Sequence, residues 1–94
     1  MILVLLTYTA DIAAVDAVLA PHREWLEQGI ADNILLAAGR QVPRTGGMLM
    51  AHGDLASVKA WAATDPFAIA GVADYQFIEV TTSMVAPGLE ALIG

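Results

Sequence analysis

The sequence predicts an α+β fold in which a single four-stranded sheet carries two helical segments. Three observations predict it. Apolar patterns along the chain read in the order strand, helix, strand, strand, helix, strand. A length of 94 residues gives room for one domain and one core, because smaller domains bury proportionally less surface. The hydrophobic fraction is 57% with only 15% charged, against roughly 45–50% apolar and about 25% charged in ordinary soluble domains. Such a chain has more apolar surface than one small core can hide.

Ile2 to Tyr8 is aliphatic and β-branched and runs into Thr9, Ala10 and Asp11, the signature of a buried strand and its exit turn. Asp11 is an N-cap candidate for a helical stripe of Ile12, Val15, Val18, Leu19, Trp25 and Leu26. Pro21 interrupts this stripe; proline inside a helix removes a donor and clashes with the preceding turn, which predicts a kink or a restart there. The segment ends near Gly29 to Asn33. Ile34 to Ala38 and Met48 to Ala51 read as two strands of a hairpin, joined by a long polar turn from Gly39 to Gly47. Asp54 caps a second helix carrying Leu55, Val58, Trp61 and Ala62. Asp65 and Pro66 end it and start a short turn through Phe67, Ile69 and Val72. Tyr75 to Thr82 alternates as a fourth strand, and residues 83–94 form a tail that docks on a neighbour or frays.

This order is that of the ferredoxin-like βαββαβ arrangement, spanning residues 1–82. Helices cover one face of that sheet and leave the other open. Both faces of Ile2 to Leu6 and of Met48 to Ala51 are apolar, and a sheet that is apolar on both sides must be covered on both. A second copy of the chain is the simplest cover, which predicts a homodimer closed sheet to sheet as a dimeric α+β barrel.

The charge balance narrows the function. Ten acids face four bases, Arg23, Arg40, Arg44 and Lys59, for a net charge of −6; bases this few and scattered do not neutralise a run of phosphates, so no nucleic-acid partner is expected. The run Met1 to Leu6 is far short of the roughly 20 apolar residues of a membrane span. It also lacks the charged start of a secretory signal, so the reading is cytoplasmic, with no membrane partner. No cysteine is present, which removes disulfides, thiolate zinc sites and cysteine nucleophiles. No Gly-rich phosphate loop, serine elbow or helical histidine pair occurs either. No metal and no cofactor are expected.

His22 falls on the helical stripe with Val15, Val18, Trp25 and Leu26. It is either a partly buried space-filling ring or a general acid/base, a role that imidazole suits because its unperturbed pKa is about 6.5. Asp65, before Pro66, reads first as an N-cap; its second oxygen remains free to orient an imidazole. Arg44, beside Gly46 and Gly47, and Tyr8, at a strand end, are candidate substrate-binding residues for a small organic acid. Tyr75 and His52 are further strand-end candidates to line a pocket, with strand-edge packing as the first account of each.

These segments together resemble the YciI-like family. The resemblance rests on Ile2 to Tyr8, on Ala20 to Leu26 with its Pro21 and His22, and on the loop Gly39 to Gly47. It continues through Asp65 to Gly71 and the strand from Ala73 to Val80. It implies a dimeric ferredoxin-like barrel related in architecture to muconolactone isomerases, and an active site built on a histidine and an aspartate, which carry over to His22 and Asp65. It further implies lyase or isomerase chemistry, since the family includes a dehydrochlorinase acting on a chlorinated hydroxyquinol. This chain departs from many relatives at Arg40, which follows Gly39 where they have proline. The alternative class is a non-catalytic dimeric module that binds a small molecule or stabilises a partner.

Overall fold

A computed structural model describes residues 1–93; Gly94, the last residue of the predicted tail, lies outside the described residues. The sheet is built from β1 (Ile2–Tyr8), β2 (Leu35–Arg40), β3 (Gly46–Ala51) and β4 (Ala73–Glu79), arranged in the order β2-β3-β1-β4 with antiparallel pairing. Between them run α1 (Ile12–Ala17), α2 (Leu19–Ala31), α3 (Leu55–Ala62) and α4 (Pro66–Ile69), and a short 3₁₀ turn covers Glu90–Leu92. This is the ferredoxin-like arrangement that the element order predicts. No helix among the described residues is long and apolar enough to cross a membrane.

Period-two alternation decides which side chains enter the core. Ile2, Val4 and Leu6 of β1 are at most 2% exposed, and the intervening Leu3 and Leu5 are half-buried on the other face. The pairing puts Leu6 opposite Tyr75 and Val4 opposite both Phe77 and Leu49, so these side chains share the core side of the sheet. Val15, Val58 and Phe67 complete that core from α1, α3 and α4. The opposite face carries Leu3, Leu5, Met48, Met50 and Ile78, each half-buried in the single chain.

Several boundaries differ from those read in the sequence. The helical break comes at Val18 rather than at Pro21, which places Pro21 in the first turn of α2, where the amide it lacks has no intrahelical partner. The strand β2 begins at Leu35, passes an irregularity between Leu35 and Ala37, and continues through Gly39 and Arg40. The strand β3 starts two residues early, at Gly46, because glycine admits the backbone contact this register demands: a Cβ there would fall 1.7 Å from the Leu6 carbonyl oxygen. The turn shrinks to Gln41–Thr45, held by the Gln41 side chain donating to the carbonyls of Leu6 and Gly47, 3.2 Å each. Finally, β4 runs from Ala73 to Glu79, and past the Ile2 and Glu79 pair the Val80 amide still donates to the Met1 carbonyl at 2.9 Å.

Candidate active site

Three elements bring the site together. The break at Val18 sets α2 so that His22 turns inward, leaving it 8% exposed. Asp65 sits in extended backbone as the N-cap of α4, fully buried, with Pro66 beginning the helix. Tyr75 projects from β4 on the core side of the sheet, across from Leu6. The Nδ1 of His22 lies 2.7 Å from Oδ1 of Asp65, although 43 positions separate the two residues in sequence. That same oxygen accepts the Phe67 amide at 3.0 Å, and Oδ2 accepts the Tyr75 hydroxyl at 2.6 Å.

A buried carboxylate is costly unless its lone pairs are filled, and here three donors fill them. Because an ionised carboxylate only accepts, Nδ1 of His22 must carry a proton, which leaves Nε2 as the ring nitrogen available for chemistry. Burial, and then the bond to Asp65 and its charge, push the Tyr75 hydroxyl above its ordinary value of 10.0. Tyr75 therefore stays a neutral donor throughout the physiological range.

Aromatic packing holds the imidazole in plane. Its ring stacks on Phe67, and Tyr8 meets Phe67 edge-on with centroids 6.1 Å apart. One turn along α2, Trp25 stacks on Trp61 of α3 at 4.1 Å and donates from Nε1 to Thr64 Oγ1 at 2.9 Å. Gly29 permits this approach, because a Cβ there would come within 2.8 Å of the Trp61 ring.

His22 lines a cavity of about 400 Å³ between α2 and the core side of the sheet. Its apolar walls come from Leu19 and Leu26 of α2, Leu6 and Leu49 of the sheet, and Phe67; Tyr8, Arg23 and Arg40 also line it. The strand glycines Gly39, Gly46 and Gly47 keep one wall to bare backbone. Such a mostly apolar concavity with a few convergent polar groups has the character of a small-molecule site. No three His, Cys, Asp or Glu side chains among the described residues group as a metal-ligand set.

The structure brings His22, Asp65 and Tyr8 to one place. Arg44 lies outside the cavity lining: its Nη2 donates to Asp16 of α1, and its guanidinium sits 5.9 Å above the Tyr8 ring. That contact holds the Asp16 carboxyl below the usual carboxylate range and raises Arg44 in turn. His52 is exposed at the far end of β3. Around His22, Asp65 and Tyr8 lie Tyr75 and Arg40, which in the sequence read as strand-end packing and as a departure from relatives, and Arg23, which the sequence reading does not single out. The signals for them were faint: Tyr75 shares the strand phase of Phe77, Arg23 adjoins His22, and Arg40 follows an apolar run.

The YCII-related domain family matches residues 1–81. The chain belongs to that family. The chain is also similar in fold to a solved structure, the 5-chloro-2-hydroxyhydroquinone dehydrochlorinase from Burkholderia phenoliruptrix AC1100 in complex with 2,5-dihydroxybenzoquinone. The two share 18% sequence identity and a TM-score of 0.68 over 88% of this chain and 96% of that one, a likeness of fold. No curated protein matches the chain.

Proposed function

We propose that this YCII-related protein is a cofactor-independent lyase or isomerase that uses His22 and Asp65 as a general acid/base pair on a small activated organic acid or ring compound. The observation that carries this reading is the 2.7 Å contact that ties His22 Nδ1 to Asp65 while His22 lines the cavity. In the reaction Nε2 takes a proton from an activated C–H, and the electron pair left on carbon either expels a leaving group or is reprotonated elsewhere. Asp65 offsets the positive charge that develops on the ring. Proton transfer of this kind contributes about 10² to 10⁴ in rate, which suits only substrates whose C–H is already acidic. The dehydrochlorinase, a lyase-type relative by fold with a quinone bound, supports this class.

In this proposal Tyr8 contacts the substrate and Arg44, stacked over Tyr8 and tied to Asp16, keeps that ring in place. The working form is a cytoplasmic homodimer closed across the apolar sheet face, with residues 83–94 docked on the partner subunit. Exposed Met84, Leu89 and Ile93 support the docking, at 88%, 50% and 48% exposure.

A second reading is favoured by one observation: Asp65 also caps α4 through the Phe67 amide, as it would in a non-catalytic module that binds a small molecule or stabilises a partner. Solvent-deuterium incorporation into activated C–H acids separates the two, beginning with 2,5-dihydroxybenzoquinone. The acid/base reading expects exchange in the native protein that falls by about 10² to 10⁴ in His22→Asn. If native protein exchanges no faster than His22→Asn across such compounds, the binding-module reading stands.

A further inference from the structure

The chain is acidic, with ten acids against four bases, yet the cavity at His22 is lined by two of those four bases and by no carboxylate. Neither Arg23 nor Arg40 forms an ion pair among the described residues, whose only arginine ion pair joins Arg44 to Asp16. Asp16 is the acid that feels Arg40, but as the least of the influences on it, and the Arg44 bond dominates. The two cavity arginines come from separate elements. Arg23 follows His22 on α2, and Arg40 ends β2 on the core side, opposite Gly47.

We infer that Arg23 and Arg40 are the anion-recognising pair of this cavity, and that its ligand is a small organic anion whose apolar body lies among Leu6, Leu19, Leu26 and Leu49. A guanidinium offers a rigid fork of donors matched to carboxylate or enolate oxygens. Leucine walls favour an apolar body over a strongly hydrated ion such as free phosphate. This inference rests on the acid/base reading and narrows its substrate class. The arginines also serve the reaction, because charge that develops on a substrate oxygen as the carbon proton leaves for Nε2 meets a fixed positive partner. Arg44, neutralised by Asp16, recognises nothing in the cavity directly.

The test is a pair of equilibrium titrations of the full chain, with benzoate and with its neutral isostere benzamide, followed by backbone amide NMR. Benzoate is expected to saturate with shifts at Gly39, Gly46 and Gly47, and to bind about ten to a hundred times more tightly than benzamide, the range of a charged hydrogen bond. Arg23→Gln and Arg40→Gln each reduce that preference, Arg40→Lys restores part of it, and Lys59→Gln, which removes a base outside the cavity lining, leaves it unchanged. Equal affinity for the two probes, no saturable benzoate binding at tens of millimolar, or a preference that survives Arg23→Gln with Arg40→Gln would overturn the inference. The readouts stay separable from the acid/base reading, since benzoate has no activated C–H and reports binding whether or not His22 moves protons.

Discussion

The imidazole of His22 lies flat on the ring of Phe67, with centroids 3.7 Å apart and planes 2° from parallel. Together with the bond from Nδ1 to Asp65, this fixes both the tilt and the rotation of a ring that sequence alone left free to be mere filling. Phe67→Leu keeps an apolar side chain but removes the platform. It is expected to cost about 1–2 kcal/mol in chemical denaturation and to speed solvent exchange of the His22 Nδ1 proton. An unchanged exchange rate in folded variant protein would show that Phe67 does not orient the ring.

Asp65 gives a sharper contrast. A residue that only caps α4 would lose about 1 kcal/mol on replacement by alanine. Because Asp65 is fully buried and serves His22, Phe67 and Tyr75 together, Asp65→Ala should cost about 3–5 kcal/mol. Asp65→Asn keeps the cap and the acceptor for Nδ1 but turns an NH₂ donor toward the Tyr75 hydroxyl, so it should cost about 1–3 kcal/mol. Urea unfolding of both variants reads the difference, and equal small losses would refute the buried network.

Tyr75 supplies a pH dependence whose sign follows from its environment. Its folded-state value is raised above 10.0, so the folded protein keeps the hydroxyl proton where the unfolded chain gives it up. The stabilisation is therefore complete below about pH 10 and declines as pH rises beyond it. Tyr75→Phe should lower stability at neutral pH by about 1–2 kcal/mol, through the donor lost to a buried carboxylate. It should also flatten the alkaline decline. Parallel slopes of stability against pH above about 10 in the two proteins would contradict this.

Much of the architecture was readable in the pattern because it rests on local rules. The strand β1 follows from a run of branched aliphatics, and α4 follows from Asp65 and Pro66 as cap and first residue. The element order was enough for the fold, and His22 and Asp65 were singled out by residue type. What stayed hidden depends on register. Nothing in the sequence says that Tyr75 lies across from Leu6 and so on the core side, beside Asp65. Nor does it say that Arg44 would be claimed by Asp16 while Arg40, the exposed last residue of β2, lines the cavity. The glycines around Arg44 suggested a ligand loop; at Gly46 their use is to let two strands touch.

That contact makes its own prediction. Gly46→Ala places a methyl 1.7 Å from the Leu6 carbonyl oxygen, whereas a methyl at Gly39 meets nothing within 4 Å. Gly46→Ala should therefore destabilise by about 3 kcal/mol or more, at or above the upper range of overpacking, while Gly39→Ala stays within about 0.5 kcal/mol. Thermal melts of the two variants compare them directly, and similar melting temperatures would refute the close approach.

The proposed dimer is tested on the open face of the sheet. Leu5→Glu puts a charge among Met48, Met50 and Ile78 without touching the core side. Sedimentation should show the native chain as a dimer and Leu5→Glu as a folded monomer. A native monomer at micromolar concentration would remove the proposal.

One oxygen of Asp65 serves both the Phe67 amide and His22 Nδ1. The helix it caps is only four residues long, too short to hold its own turns without tertiary support. Local fraying of α4 therefore releases the imidazole in the same event. Because Phe67 and Asp65 are buried, that fraying requires the core itself to open, so the histidine stays held for as long as the core stays packed.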